Sequence, residues 1–371
     1  MAAAASALCP GAAARAAKLA NAPEHLDIPT YDGSGYVIHP DVLIFQQPWH
    51  GHTMWMAATP YRCADYENPS IFVSEDGIQW VVPEGLTNPL VPDPNPEEPA
   101  DCNSDTDIVY DPGTDTLHVY YREWLKSIWT VRIRRLSSAD GVVWSGPVTV
   151  MTLSFTEDAI SPAVIRRPDD WAMWARHGAG GVALRSSSDG LNWSEPVLFD
   201  IPLPSGFSVW HLDVTCVPQF QSYWALINTV PYQNLYLAFS RDGLTWRTYE
   251  EPVLSPGPPG SWDEDHIYRS SLIYDPDRDV VRIWYSARDH GMWPHIGYVE
   301  APRAQLFCGP LVGAGDLDHD GDVDLADFAL LAGAFSGSGV PTNNLDADLD
   351  GDDDCDLTDL DLLVSRMTGP Q

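Results

Sequence analysis

Apolar positions in this chain come in short runs, alternating or continuous, separated by clusters of Asp, Gly and Pro, and helix-period spacing is absent before residue 316. One stretch recurs. Ser186-Ser-Ser-Asp-Gly-Leu-Asn-Trp193 has near copies in Ser74-Glu-Asp-Gly-Ile-Gln-Trp80, Ser138-Ala-Asp-Gly-Val-Val-Trp144 and Ser240-Arg-Asp-Gly-Leu-Thr-Trp246. Each copy sits between two apolar runs, so Asp-Gly predicts a turn between strands: Asp bonds backbone amides, Gly takes positive φ, and Trp folds back as a plug. Upstream of each turn lie two further strands. The first of them opens on a polar cluster in five places, at His39, Ser104, Ile160-Ser161, Trp210-His211 and Tyr268-Arg269, and an aromatic strand follows each. Unit starts are spaced by about 50 to 66 residues, the length of four short strands with their loops. Five four-stranded antiparallel units predict an all-β, five-bladed β-propeller, whose radial closure removes exposed sheet edges. The fifth unit has no Asp-Gly-x-x-Trp after His295-Ile-Gly-Tyr-Val. Its outermost strand is expected from either Gln305-Leu-Phe or residues 23–37.

From Asp316 the pattern changes. Asp316-Leu-Asp-His-Asp-Gly-Asp-Val-Asp-Leu-Ala-Asp327 precedes an apolar helical run and returns, 32 residues on, as Asp348-Leu-Asp-Gly-Asp-Asp-Asp-Cys-Asp-Leu-Thr-Asp359. Oxygen ligands at positions 1, 3, 5, 9 and 12 of a loop that opens a helix have the spacing of a calcium site. The candidate ligands are Asp316, Asp318, Asp320, Asp324 and Asp327, then Asp348, Asp350, Asp352, Asp356 and Asp359, with Asp322 and Asp354 at position 7. Gly321 supplies the sharp turn of the first loop. Asp353 stands where the second needs Gly, and because Asp tolerates left-handed φ this predicts a weaker rather than a lost site. The duplicated loop-helix resembles a type I dockerin over residues 316–368. That resemblance implies Ca2+ as cofactor, a cohesin-type scaffold as partner, and a secreted or cell-surface enzyme of polysaccharide breakdown.

Charge separates the two parts. The chain of 371 residues carries 53 acidic and 20 basic residues, a net charge of −33, and 15 of the acids fall in residues 312–371. Such a balance argues against nucleic acid or an anionic membrane as partner. No apolar run of about 18 residues is present, so no membrane span is expected. Met1 to Ala20 is Ala-rich but lacks a basic start followed by an apolar core, so no signal peptide is evident. Residues 1–24 are expected as an Ala-rich segment, 25–303 as a monomeric propeller, 304–315 as linker and 316–371 as the calcium-binding unit. Six cysteines suit an oxidising compartment, with Cys63–Cys102 and Cys308–Cys355 as expected pairs and Cys216 as a buried thiol.

Inner strands of a propeller begin at the funnel mouth, so their polar starts should converge on one axial pocket. Residues expected there are His39, Asp41, Asp105, Asp107, Glu157, Asp158, Ser161, His211, Asp213, Tyr268 and Arg269. Carboxylates around a pocket suit glycoside hydrolysis, one protonated to deliver a proton and one ionised to activate water or attack. Residues 25–302 resemble the five-bladed glycoside hydrolases of family 43 and their sialidase-like relatives, in which acids come from successive blades. By that resemblance Asp41 would be the base, Asp107 would orient or tune, and Glu157 would be the acid; His39, Asp105, Asp158, His211, Asp213, Tyr268 and Arg269 would bind substrate. Two other functions remain open. One is a non-catalytic carbohydrate-binding propeller with Trp210 and Trp293 stacking on sugar rings. The other is a polysaccharide lyase in which His39 or His211 with Tyr268 abstracts a proton and Arg269 neutralises a uronate.

Overall fold

The computed structural model describes residues 17–62, 67–98, 101–231, 234–291, 293–318 and 323–367. Five antiparallel sheets stand in chain order around an axis. They are β1(Val37–Trp49), β2(His52–Pro60) and β3(Ser70–Ser74); β4(Cys102–Asp111), β5(Thr116–Leu125), β6(Thr130–Ser138) and β7(Val148–Ser154); β8(Ala159–Arg166), β9(Trp171–His177), β10(Val182–Ser187) and β11(Val197–Phe199); β12(Ser208–Val217), β13(Ser222–Val230), β14(Leu235–Ser240) and β15(Arg247–Thr248); and β16(His266–Asp275), β17(Val280–Arg288) and β18(Pro294–Pro302). This is the five-bladed propeller expected from the repeat.

The core is divided into slabs between neighbouring blades. Trp55 and Val73 of the first blade pack with Val119 and Tyr121 of the second, and like clusters join each following pair and close the ring from the fifth to the first. The Asp-Gly turns lock these slabs. In each turn the Asp carboxylate accepts two amides, at 2.8 and 2.8 Å for Asp76, and the preceding Ser hydroxyl accepts the Gly amide. Trp80, Trp144 and Trp246 donate Nε1 to the Gly carbonyl of their own turn. The preceding blade reaches the same glycine. Trp284 Nε1 donates to Gly77 O, Trp174 Nε1 to Gly243 O and Tyr120 Oη to Gly190 O, while Trp55 packs on Gly141. The fifth blade lacks this turn, and Phe307 covers Trp224 in its place, ring centroids 4.1 Å apart.

Closure uses both flanks of the propeller. Leu26 N donates to Ile296 O at 2.7 Å, so residues 23–37 contribute the chain beside β18, whereas Gln305 and Leu306 lie in the short helix α1(Arg303–Leu306). Residues 310–312 continue the fourth blade, with Val312 N on Thr248 O and Leu311 bridged to Tyr249.

The tail carries helices α2(Leu325–Ala334) and α3(Leu357–Arg366) around a small core of Leu331, Leu349, Cys355 and Leu363. It contacts the fourth blade through Arg247–Asp348 at 3.4 Å, Arg241–Asp353 at 2.5 Å and Arg366–Glu250 at 2.7 Å. No helix of the described residues is long and apolar enough to cross a membrane.

The cysteine expectations need correction. Cys355 is a free thiol in the tail core and Cys308 a free thiol on the segment after α1, so they do not pair. Cys102 is also free and buried; Cys63 lies outside the described residues. Cys216 is exposed rather than buried, because it faces outward on β12 while the next residue, Val217, takes the core-facing side.

A Cβ at Gly141 would lie 2.1 Å from Trp55, and its φ is +75°. Gly141→Ala should therefore cost about 3 kcal/mol, combining left-handed strain with overpacking. Gly260→Ala, at φ +89° with open space around it, should cost only about 1 kcal/mol. Urea unfolding of both variants checks the difference, and equal losses would mean that the turn is not a lock.

Candidate functional site

All five inner strands break register near the cavity end, between Ile38 and Asp41, Ser104 and Asp107, Ile160 and Ala163, and Ile267 and Ser270, and, just before the equivalent residue, between Val209 and His211. A bulge re-aims a side chain. Here five bulges do so around one axis. In the first three blades the bulged residue is non-glycine with left-handed φ: His39 at 56°, Asp105 at 54° and Ser161 at 52°. Strain repeated at one height is a mark of a functional site.

His39, Asp105, Ser161, His211 and Arg269 form an upper ring of equivalent positions. Two residues on, Asp41, Asp107, Ala163, Asp213 and Ser271 form a lower one. The lower ring stitches blade to blade. Asp41 accepts from Ile108 N at 2.6 Å, Asp107 from Val164 N at 3.0 Å, Asp213 from Leu272 N at 3.0 Å and Ser271 Oγ from Val42 N at 3.1 Å. Ala163 has no side chain to make the equivalent bond. Arg269, wholly buried, reaches down from the upper ring to that side and donates to Pro162 O at 3.1 Å and Asp107 Oδ1 at 3.4 Å.

A cavity of about 400 Å³ opens above the rings, lined among others by His39, Glu67, Asp105, Arg122, Trp124, Trp210, His211, His266, Tyr268 and Arg288. At its floor His39, Asp105 and His211 each bring a ligand atom within 4.8 Å of the others. His211 Nδ1 lies 3.2 Å and His39 Nε2 3.5 Å from Asp105 Oδ1, and Ser161 Oγ bonds His211. Both imidazole Nε2 atoms are buried without a hydrogen-bond partner. Two buried, unsatisfied imidazole nitrogens beside a carboxylate are costly in isolation and match the donor set of a divalent ion such as Zn2+. The charge state agrees. Burial pushes the His211 imidazole down to about 4, leaving it in the neutral, ligating form at pH 7. Burial alone would raise the Asp105 carboxyl, but His39, His211 and Arg122 hold it well below the usual carboxylate range.

Glu67 closes one side of the cavity, its Oε1 3.2 Å from His39 Nδ1. Opposite, Asp158 is buried and grips Arg122 through both carboxylate oxygens, leaving Arg122 Nη1 3.7 Å from Asp105. Tyr268 accepts from Trp210 Nε1 at 3.2 Å and packs edge-on to His211.

Of the expected site residues, His39, Asp105, His211 and Tyr268 line the cavity and Asp158 stands behind Arg122. Asp41, Asp107, Asp213 and Arg269 lie fully buried in and against the ring of stitches below. Glu157 is elsewhere, exposed on the connection before β8 and bonded to Ser154. Glu67 and Arg122 were not anticipated. Arg122 had a signal, a charge inside the aromatic run Tyr120-Tyr-Arg-Glu-Trp124, whereas Glu67 sits in an irregular connection with none.

In the tail, Asp316, Asp318 and Asp327 converge within 4.8 Å, as do Asp348, Asp350 and Asp359, and Asp354, Asp356 and Asp359. Asp327 and Asp359 each accept three amides of their own loop, Leu317, Asp318 and Asp324 in one and Leu349, Asp350 and Asp356 in the other. Asp324 and Asp356 cap α2 and α3. Asp353 takes φ 74°, the left-handed turn expected of it. Asp352 accepts Asp354 N within the second loop, and Asp320 and Asp322 lie outside the described residues.

Burial and the neighbouring Asp41 carboxylate raise Asp213 to about 7, and burial with Asp41 raises Asp107 well above its usual range. A raised carboxyl stabilises the fold fully below its unfolded value of 3.8, and that contribution is lost as pH rises through about 7. Asp213→Asn keeps an oxygen for Leu272 N without the charge. Its melting temperature relative to the unchanged protein should therefore rise between pH 4 and pH 8; a difference that does not change with pH would contradict the ring's electrostatics.

No family model matches the chain. It is 32% identical over 333 residues to the A type blood N-acetyl-alpha-D-galactosamine deacetylase of Flavonifractor plautii, a match covering 72% of this chain and 43% of that protein. The chain thus spans less than half the length of that relative. The crystal structure of an N-acetylgalactosamine deacetylase from F. plautii, in complex with blood group B trisaccharide, superposes with a TM-score of 0.72 at 29% identity, covering 78% of this chain and 97% of that one. The alpha-L-arabinofuranosidase Arb93A of Fusarium graminearum shares the fold at a TM-score of 0.52 and 13% identity, covering 72% and 78% of the two chains.

Proposed function

We propose that the propeller is a metal-dependent hydrolase that removes the acetyl group from an N-acetylated amino sugar. The observation that carries this reading is the buried His39–Asp105–His211 set at the cavity floor with two unsatisfied imidazole nitrogens, and the similarity to an N-acetylgalactosamine deacetylase supports the substrate class. Hydrolysis breaks the amide C–N bond, adds water across it, and yields acetate and a free amino sugar. When bound, a divalent ion supplies Lewis-acid activation of water and of the acetyl carbonyl.

The protein's own groups supply the rest. Glu67, shielded from solvent beside His39, is placed to take the proton from the attacking water and return it to the leaving amine. Arg122, locked by Asp158, points a fixed positive charge at the floor where negative charge develops on the carbonyl oxygen. Tyr268, held by Trp210, orients His211. The O-glycosidase reading has less support, because Asp41 and Asp107 are engaged in blade stitches and Glu157 faces solvent away from them.

For the tail, the proposal is a dockerin-like unit that binds Ca2+ in both loops and tethers a secreted enzyme to a cohesin-type scaffold. Paired in-register carboxylate clusters support it, as do the buried, unpartnered Asp350 Oδ1 and Asp354 Oδ1.

Incubation with N-acetyl-α-galactosaminyl glycans should release primary amine and acetate, and chelation should stop it until divalent metal is restored. His211→Ala and Asp105→Asn should lower the rate by more than the ~10–100-fold typical of an outer-sphere partner, with Glu157→Gln near unchanged. Release of reducing sugar without amine would refute deacetylation. Calorimetric titration of the full chain with Ca2+ should find two sites, one lost in Asp327→Asn and the other in Asp359→Asn; absence of heat in all three proteins would remove calcium from the tail.

A further inference from the structure

The cavity does not end at its wall. Trp124, half-buried at the end of β5, lines the cavity and stacks on Phe155 with centroids 5.7 Å apart and planes inclined by 28°. Phe155 in turn meets Trp129, 5.1 Å away and 70% exposed. Phe155 comes from the connection into β8 and Trp129 from the turn between β5 and β6, so both stand at the cavity end of the propeller. The three rings make a continuous ridge that runs outward from the cavity.

Core packing does not account for this ridge. Trp129 sits on a left-handed residue, φ 53° and ψ 40°, a strained conformation for a bulky side chain, and the strain turns an indole toward water. The matching turn of the third blade, between β9 and β10, is His177-Gly-Ala-Gly-Gly181 and carries no large apolar side chain. Aromatic faces set along one path outward from the cavity suit the apolar faces of successive pyranose rings. A peptide groove would need backbone donors and acceptors along the path, whereas this one offers ring faces and the exposed ammonium of Lys126, 5.7 Å from the Trp124 ring.

We propose that Trp124, Phe155 and Trp129 form a second glycan subsite, which seats the sugars attached to the unit held in the cavity. The inference rests on the carbohydrate-deacetylase reading and deepens it: the substrate is the end of an oligosaccharide or glycan chain, and the ridge sets that preference.

Titration calorimetry separates the two ideas, using methyl N-acetyl-α-galactosaminide and a trisaccharide ending in the same sugar. Trp129→Ala should weaken trisaccharide binding about tenfold, leave the monosaccharide within twofold, and be largely rescued by Trp129→Phe. Phe155→Ala should act in the same direction. With turnover measured in parallel, KM for the trisaccharide should rise while kcat stays. An unchanged trisaccharide affinity in Trp129→Ala, an equal loss for both sugars, or no trisaccharide binding by the unchanged protein would overturn the subsite. Selective loss of binding in a protein that releases no amine would uphold the ridge and refute the deacetylase chemistry instead.

Discussion

The structure depends on how the inner strands are held together where they come closest. At a propeller axis each strand's amides face a neighbour that is not its sheet partner, and a buried amide without an acceptor costs about as much as a lost hydrogen bond. Carboxylates of Asp41, Asp107 and Asp213 and the hydroxyl of Ser271 accept those amides across four of the five blade junctions. Three carboxylates this close would repel one another out of the core as anions. Arg269 neutralises part of the charge, and raised carboxyl pKa values remove more of it. Ala163 offers no acceptor at its junction, and on that side Arg269 ties in the third blade by donating to Pro162 O. The axis is thus a single electrostatic unit, and the site above stands on it.

Much of the fold was legible because it is a repeat. The Ser-x-Asp-Gly-x-x-Trp turns marked four blades, the aromatic second strands marked all five, and the register of the Asp loops marked the tail. What could not be read were pairings between units. Each Asp-Gly turn looks like a local hairpin device, yet its glycine carbonyl also takes a donor from the preceding blade in three of the four cases, from Trp284, Tyr120 and Trp174. Glycine is needed there for a long-range contact as much as for its φ. Disulfide pairing failed for a related reason: cysteine parity suggests partners, while only packing reveals that Cys355 fills a small core.

The place of the site was legible, while the split between its paired residues was not. His39 and Asp41, Asp105 and Asp107, and His211 and Asp213 are pairs separated by two residues, and on a regular strand both members would face the same way. Bulges divide the labour in the first two blades, whereas in the fourth the break precedes His211, and His211 and Asp213 pair regularly with Asn228 and Leu226. The first member of each pair is lifted to the cavity floor, while the second is left at the blade junction, bonded to an amide. Sequence cannot distinguish these members, because both are polar at the same spacing and a bulge on a non-glycine residue leaves no residue signature.

That division also bears on chemistry. A carboxylate that accepts a backbone amide and sits fully buried next to an arginine is poorly placed to meet a glycosidic oxygen, whatever its pKa. An imidazole with one nitrogen anchored and the other buried and unsatisfied has unused coordinating capacity. Two such imidazoles flank one carboxylate, Asp105, whose anionic form their proximity favours. Two nitrogens and a carboxylate gathered in this way support the divalent-cation proposal more than they support the paired acid and base of a glycosidase.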